Sequence, residues 1–169
     1  NLEPEAVDIA VNLAGVLMQL GDRKQAIMVL QRATRYCKDD AVFCPRIADM
    51  FVSLGEPGAA IQLLSRLNVL PPNDQIILAR AHSRLSNWRE AVGILERLNE
   101  AAPDNIDVAQ QLAGAAAQLR DYSLAIKAYE RYLRGVKPTA NDYLRFADLL
   151  LIAQKPERCQ QALNQAENA

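Results

Sequence analysis

The sequence predicts an all-α chain built as an array of helix pairs, and three observations carry that prediction. First, small residues recur in pairs twelve positions apart: Ala14 with Ala26, Ala48 with Ala60, Ala79 with Ala91, Ala113 with Ala125, and Ala147 with Cys159. Successive pairs are offset by 34, 31, 34 and 34 residues, and a period in this range is the signature of a repeat architecture. Second, a helix breaker separates the two members of every pair. Third, aromatic residues are scarce at 5% and hydrophobic residues make up 50% of the chain, with Ala and Leu prominent. That composition favours helix over strand and can supply a core.

The elements follow in order. The first repeat spans about 7–40. Val11, Leu13, Ala14, Leu17 and Leu20 share a helical face, Gly21-Asp22 ends the helix, and Ala26, Ile27, Leu30 and Ala33 line the next one. Lys38-Asp39-Asp40 reads as a polar turn. The second repeat, about 41–74, has Ile47, Ala48 and Phe51, then the breaker Gly55-Glu56-Pro57-Gly58, then Ala60, Ile61 and Leu64. Pro45 fits the first helical turn, where a missing N–H is tolerated. Pro71-Pro72-Asn73-Asp74 closes the repeat.

The third repeat, about 75–105, has Leu78, Ala79 and His82, a turn at Ser86-Asn87, then Trp88, Ala91, Ile94, Leu95 and Leu98. It is shorter by three residues, and the loss is expected at the start of its first helix, as a kink or a shortened helix there. The fourth, about 106–139, has Leu112, Ala113 and Ala116, a turn at Arg120-Asp121, then Ala125, Ile126, Tyr129 and Tyr132. The fifth, about 140–169, has Tyr143, Phe146, Ala147 and Leu150, a break at Lys155-Pro156, then Cys159 and Leu163. Its last helix turns polar, as an exposed end does. Residues 1–6 read as the tail of a preceding repeat, because Pro4 falls one period before Lys38, in the slot that Pro72 and Pro103 occupy later. The whole chain reads as one such domain, a segment of a longer array.

These motifs resemble the tetratricopeptide repeat family. Its first-helix pattern is matched by Leu13-Ala14-x2-Leu17, Ile47-Ala48-x2-Phe51, Leu78-Ala79-x2-His82, Leu112-Ala113-x2-Ala116 and Phe146-Ala147-x2-Leu150. Its second-helix pattern is matched by Ala26-x3-Leu30, Ala60-x3-Leu64, Ala91-x3-Leu95, Ala125-x3-Tyr129 and Cys159-x3-Leu163. The family's Trp position holds Ala10, Cys44, Gln75, Ala109 and Tyr143, and its Gly position holds Ala throughout. Small size is what a close helix crossing requires, so the fold survives those changes.

The resemblance implies a right-handed superhelical solenoid of antiparallel helix pairs with the first helices lining a concave groove. It implies a non-catalytic protein–protein interaction module that binds a partner segment there. The partner-binding residues so implied are Arg46, Asp49, Arg80, Arg84, Gln111, Gly114, Gln118, Arg145 and Asp148. Asp8, Val11 and Val52 are placed on the same face. The arginines offer planar donor forks suited to carboxylates and peptide carbonyls, and Gly114 leaves room beside them. A solvated helix face with internal pairs, such as Asp49 with Arg46 or Arg80, is the competing reading. The family's two-carboxylate clamp for chaperone C-termini does not fit: the corresponding slots hold Val11 and Gly15, Pro45 and Asp49, or Ile76 and Arg80. A structural or assembly segment of a bacterial envelope secretion, pilus or exopolysaccharide-export protein is an alternative role, as is a secretion chaperone of the same repeat type.

Other chemistries find little footing. Net charge is −1, with 19 basic and 20 acidic residues, so nothing draws the chain to nucleic acid. No apolar run approaches a membrane span, so direct membrane insertion is not expected. A protein or peptide partner is, and self-association stays open. His82 is the sole histidine; no catalytic site, cofactor or metal site is expected. Cys159 occupies an Ala slot and reads as a buried thiol. Cys37 and Cys44 are candidates for a disulfide stapling two repeats, which would indicate a periplasmic rather than a cytoplasmic setting; two thiols are the other reading.

Overall fold

The computed structural model describes residues 4–37 and 41–169, and every regular element among them is helical. The helices are α1 (Pro4–Gln19), α2 (Arg23–Thr34), α3 (Phe43–Ser53), α4 (Pro57–Leu64), α5 (Pro72–Arg84), α6 (Trp88–Ala101), α7 (Ile106–Gln118), α8 (Tyr122–Gly135), α9 (Ala140–Ile152) and α10 (Pro156–Glu167). They form two compact units, Asn1–Asn87 and Trp88–Ala169. In the first, α1 packs on α2, α3 on α4, and α1, α3 and α5 lie against one another in sequence. In the second, α6 packs on α7, α7 on α8, α8 on α9 and α9 on α10.

The ten small residues are all buried, from Ala14 and Ala26 to Ala147 and Cys159. Around them the first unit gathers Leu30, Ile47, Phe51, Leu63 and Leu64, and the second Leu95, Val108, Leu112, Ile126 and Leu150. Small side chains let paired helices approach closely, and the larger ones fill the remaining space.

One turn recurs five times. Gly21, Gly55, Ser86, Arg120 and Gln154 all adopt positive φ, between 56° and 75°. The residue after each donates its N–H to a carbonyl five residues back: Asp22 to Leu17, Glu56 to Phe51, Asn87 to His82, Asp121 to Ala116 and Lys155 to Leu150, all at 2.8–2.9 Å. This is the Schellman ending, which satisfies the last carbonyls of the first helix and reverses the chain. The next helix starts at once. Asp22 accepts from the Gln25 N–H and Asp121 from the Leu124 N–H, whereas α4 and α10 open on Pro57 and Pro156 instead.

Several expected boundaries move. The short repeat step does not shorten the first helix of the third repeat: α5 has 13 residues against 11 in α3. The missing residues come from the end of α4, which has only 8 residues where α2 has 12 and α6 has 14. Pro71 caps α5 and Pro72 is its first residue, which keeps Leu70 out of helical geometry and fixes where α5 begins; α4 has already ended at Leu64. The supposed closing turn Pro72-Asn73-Asp74 is therefore the first turn of α5. Pro4 and Glu5 likewise belong to α1. Residues 1–3 and the expected turn Lys38-Asp39-Asp40 lie outside the described residues.

Candidate functional site

The first helices of unit 1 carry a chain of alternating charges. Arg46 and Asp49 sit one turn apart on α3. Arg46 Nη1 donates to Asp8 Oδ1 of α1 at 2.7 Å. In the other direction, Arg80 of α5 donates through Nη2 to Asp49 Oδ1. Each α3 residue thus reaches a different neighbouring first helix. The guanidinium of Arg46 also lies over the Phe43 ring, 6.0 Å from its centre. All four charged side chains stay between 42% and 48% exposed. Pairs so open to water contribute only about 0–1 kcal/mol each, so an incoming carboxylate or guanidinium can replace one partner at little cost. Arg84, on the last turn of α5, is exposed.

Two residues expected on this face are not on it. Val11 is 7% exposed and Val52 2%; both belong to the core, because α1, α3 and α5 pack flank to flank and cover those positions.

In unit 2 the corresponding slots on α7 hold different chemistry, while those on α9 again hold Arg and Asp. Gln111 is half-buried on α7, while Gly114 and Gln118 are exposed. A methyl group added at Gly114 would meet nothing within 4 Å, so the glycine leaves the helix surface open there. Arg145 and Asp148 are exposed on α9, at the positions that Arg46 and Asp49 occupy on α3. Arg145 makes no ion pair across to α7 among the described residues. It stands instead near Asp142, one turn back on its own helix.

Asp142 organises the α8–α9 contact. It forms a capping box with Thr139: Asp142 Oδ2 accepts from the Thr139 N–H at 2.9 Å, and Thr139 Oγ1 accepts from the Asp142 N–H at 3.4 Å. Tyr132 donates to Asp142 Oδ1 at 3.0 Å and Tyr129 to the Asp142 carbonyl at 3.1 Å. Hydrogen bonds from the Thr139 backbone, then from its hydroxyl, hold the Asp142 carboxyl below the usual carboxylate range, with Tyr132 and the Arg145 charge assisting. Burial, then the nearby Asp142 charge, push the Tyr129 phenol up to about 12. Tyr129 also stacks on Phe146, with centroids 5.4 Å apart. This cluster was not anticipated from the sequence. The signal that could have revealed it is Thr139-x2-Asp142 before an apolar run, a helix-start motif.

His82 is half-buried in α5. Cys37 and Cys44 are brought together: their sulfurs are in contact at 3.0 Å as thiols, and both residues are buried. Among the described residues no group of three or more His, Cys, Asp or Glu side chains is placed to hold a metal ion, and no helix is long and apolar enough to cross a membrane.

Helix pairs with a shared Schellman turn, small residues at every pairing position and exposed polar first-helix faces define a helical-repeat interaction module. Two tetratricopeptide repeat family models match the chain, at residues 7–40 and 76–107. The chain belongs to the tetratricopeptide repeat proteins and has their all-α solenoid fold. Solved structures agree. A crystal structure of MamA superposes with a TM-score of 0.80 at 17% identity, covering 97% of this chain and 91% of that one. A MamA fragment (41 to end) from Desulfovibrio magneticus RS-1 gives 0.79 at 14% identity, covering 96% and 94%. YrrB, described as a tetratricopeptide repeat protein with an unusual peptide-binding site, gives 0.73 at 14% identity, covering 94% and 84%. No curated protein sequence matches significantly.

Proposed function

We propose that this module acts by binding a segment of another protein, without catalysing a reaction, and that Arg46, Asp49, Arg80 and Arg84 in unit 1 form its principal contact surface. The observation that carries the reading is the charge chain Asp8–Arg46 and Asp49–Arg80, half-exposed and spread over three successive first helices. A peptide with alternating charge could exchange partners with it step by step. Each exchange replaces one weak exposed pair with another, while the peptide backbone gains donors from the arginine forks. Gln111, Gly114, Gln118, Arg145 and Asp148 supply a further patch in unit 2, with amide groups suited to main-chain carbonyls and an open position at Gly114. The peptide-binding description of YrrB lends the reading support by likeness of fold.

The test uses peptides selected from a random display library on the whole chain and titrated by calorimetry. Arg80→Glu should weaken the selected peptides about tenfold or more, equivalent to about 1.4 kcal/mol. Arg145→Glu reports on the unit 2 patch separately. If every selected peptide binds both variants as tightly as wild type, the first-helix faces are not the binding surface.

A further inference from the structure

We propose that Cys37 and Cys44 form a reversible intramolecular disulfide that pins the end of the first repeat to the first helix of the second. Cys37 lies just beyond α2 and Cys44 in the first turn of α3. Their sulfurs stand 3.0 Å apart, against about 2.05 Å in a formed bond. Closing that gap takes a side-chain adjustment and no rearrangement of helices. Backbone contacts hold both thiols in place: Cys44 Sγ lies 3.9 Å from the Cys37 carbonyl, and Cys37 Sγ lies 3.8 Å from the Thr34 carbonyl of its own preceding turn. Both side chains sit in the core of unit 1, 3% and 0% exposed, so the bond would form where α2 already packs on α3. The third cysteine, Cys159, belongs to unit 2 and takes a slot that is Ala in the other four repeats.

The reaction is thiol–disulfide exchange with a small-molecule disulfide such as oxidised glutathione. One cysteine, as thiolate, attacks a sulfur of the reagent, breaks its S–S bond and expels one glutathione thiolate, which takes up the proton. The second cysteine then attacks the protein sulfur of the mixed disulfide and expels the second glutathione. Two protein thiols are oxidised, one reagent disulfide is reduced to two thiols, and one intramolecular S–S bond results. Because both sulfurs are buried, the first attack requires transient local opening at the end of α2. Once the mixed disulfide forms, the neighbouring thiol is already in place to resolve it. The pinned element, α3, carries Arg46 and Asp49, but neither the pairing nor its test depends on any binding partner.

The experiment uses the whole chain with Cys159→Ala, which restores the residue found at the equivalent positions of the other repeats and leaves only the two thiols of interest. Native protein is incubated with oxidised glutathione, quenched in acid, denatured and titrated for thiols, with mass measurement and non-reducing peptide mapping. Both thiols should disappear, the chain should lose two hydrogens without becoming disulfide-linked to another copy, and one peptide should link Cys37 to Cys44. The oxidised sample should melt higher than the same sample reduced with dithiothreitol, and that shift should vanish in Cys37→Ser. Retention of both thiols, a stable glutathione adduct or a disulfide-linked dimer would overturn the pairing. A bond that forms without raising the melting temperature would overturn its role as a pin.

Discussion

The two units present the same pair of slots with opposite outcomes. Asp8 and Arg46 stand at corresponding positions to Asp107 and Arg145, one acid on a first helix and one arginine on the next first helix. In unit 1 they meet at 2.7 Å. In unit 2 no ion pair joins them among the described residues. The difference lies one helical turn away. Three residues before Arg145 stands Asp142, held ionised by its capping box. Three residues before Arg46 stands Phe43, over whose ring the guanidinium lies. Arg145 therefore has a carboxylate on its own helix, and Arg46 must look to α1. A local i, i+3 neighbour competes with a tertiary one, and the local one needs no long side chain held extended across a gap. Unit 1 thus ties its first helices to one another by charge. Unit 2 places its polar ties elsewhere, in Arg158–Glu130 between α10 and α8 and in the Tyr129–Tyr132–Asp142 cluster.

If that contrast is right, removing Asp142 should have the largest effect. Asp142→Ala takes away a helix cap and leaves Tyr132 without its acceptor, so urea denaturation should show a loss of about 2 kcal/mol. The same change should free Arg145 to pair with Asp107, which a double-mutant cycle in the Asp142→Ala background would detect as coupling absent from wild type. The pH dependence has a definite sign. The Asp142 carboxyl is held below its ordinary value near 3.8, so its contribution is fully present above that value and is lost as pH falls through the lowered one. Melting curves between pH 5 and pH 2 should show a steeper acid loss for wild type than for Asp142→Asn. Tyr129 acts at the other end. Its phenol is raised from 10.0 to about 12, so its share of stability is present below pH 10.0 and is lost as pH climbs to about 12. Tyr129→Phe should flatten that alkaline limb.

The turns give a smaller and more even comparison. Gly21 and Gly55 hold positive φ in unit 1, while Arg120 and Gln154 hold it in unit 2. A side chain in this region costs about 1–2 kcal/mol that glycine avoids. Gly21→Ala should therefore destabilise by about 1 kcal/mol, and Gln154→Gly should stabilise by a little less, since glycine gives back some of the gain as unfolded-chain entropy. Thermal unfolding of both variants checks this; a loss of stability in Gln154→Gly would show that its side chain makes a contribution the backbone geometry does not explain.

The smallest expected effect is the charge chain itself. A double-mutant cycle on Asp8 and Arg46 should give coupling below about 1 kcal/mol, fading as salt is raised, and one on Asp107 and Arg145 should give none. Equal coupling in the two units would break the comparison.

Much of this molecule was legible in one dimension. The twelve-residue offset between small residues, repeated at a period near 34, is enough to imply paired helices, because only a close helix crossing demands a small side chain at that spacing. All ten of those residues are buried. The breakers at Gly21, Gly55, Ser86 and Arg120 were legible as turn positions too, and the fifth, expected at Lys155-Pro156, has its left-handed residue one position earlier, at Gln154. That three of them are not glycine was no obstacle, since the Schellman hydrogen bonds outweigh the modest cost of one left-handed residue. Where a deleted stretch would be absorbed was not legible. Three missing residues can come from either side of a connection, and the structure takes them from the end of α4, which has 8 residues, while α5 keeps 13.

Pairings between distant side chains belong entirely to the tertiary structure. Asp8 and Arg46 are 38 positions apart and Asp49 and Arg80 are 31, and no periodicity says which of several nearby charges will meet. The same holds for Val11 and Val52, whose burial depends on how tightly neighbouring first helices lie together, and for Cys37 and Cys44, whose 3.0 Å approach depends on how α2 meets α3. Sequence alone determined the helices, their pairing and the repeat, because those follow from local spacing and side-chain size. The structure decided which exposed charges are already partnered and which face the solvent, because that depends on competition between neighbours within a few ångströms.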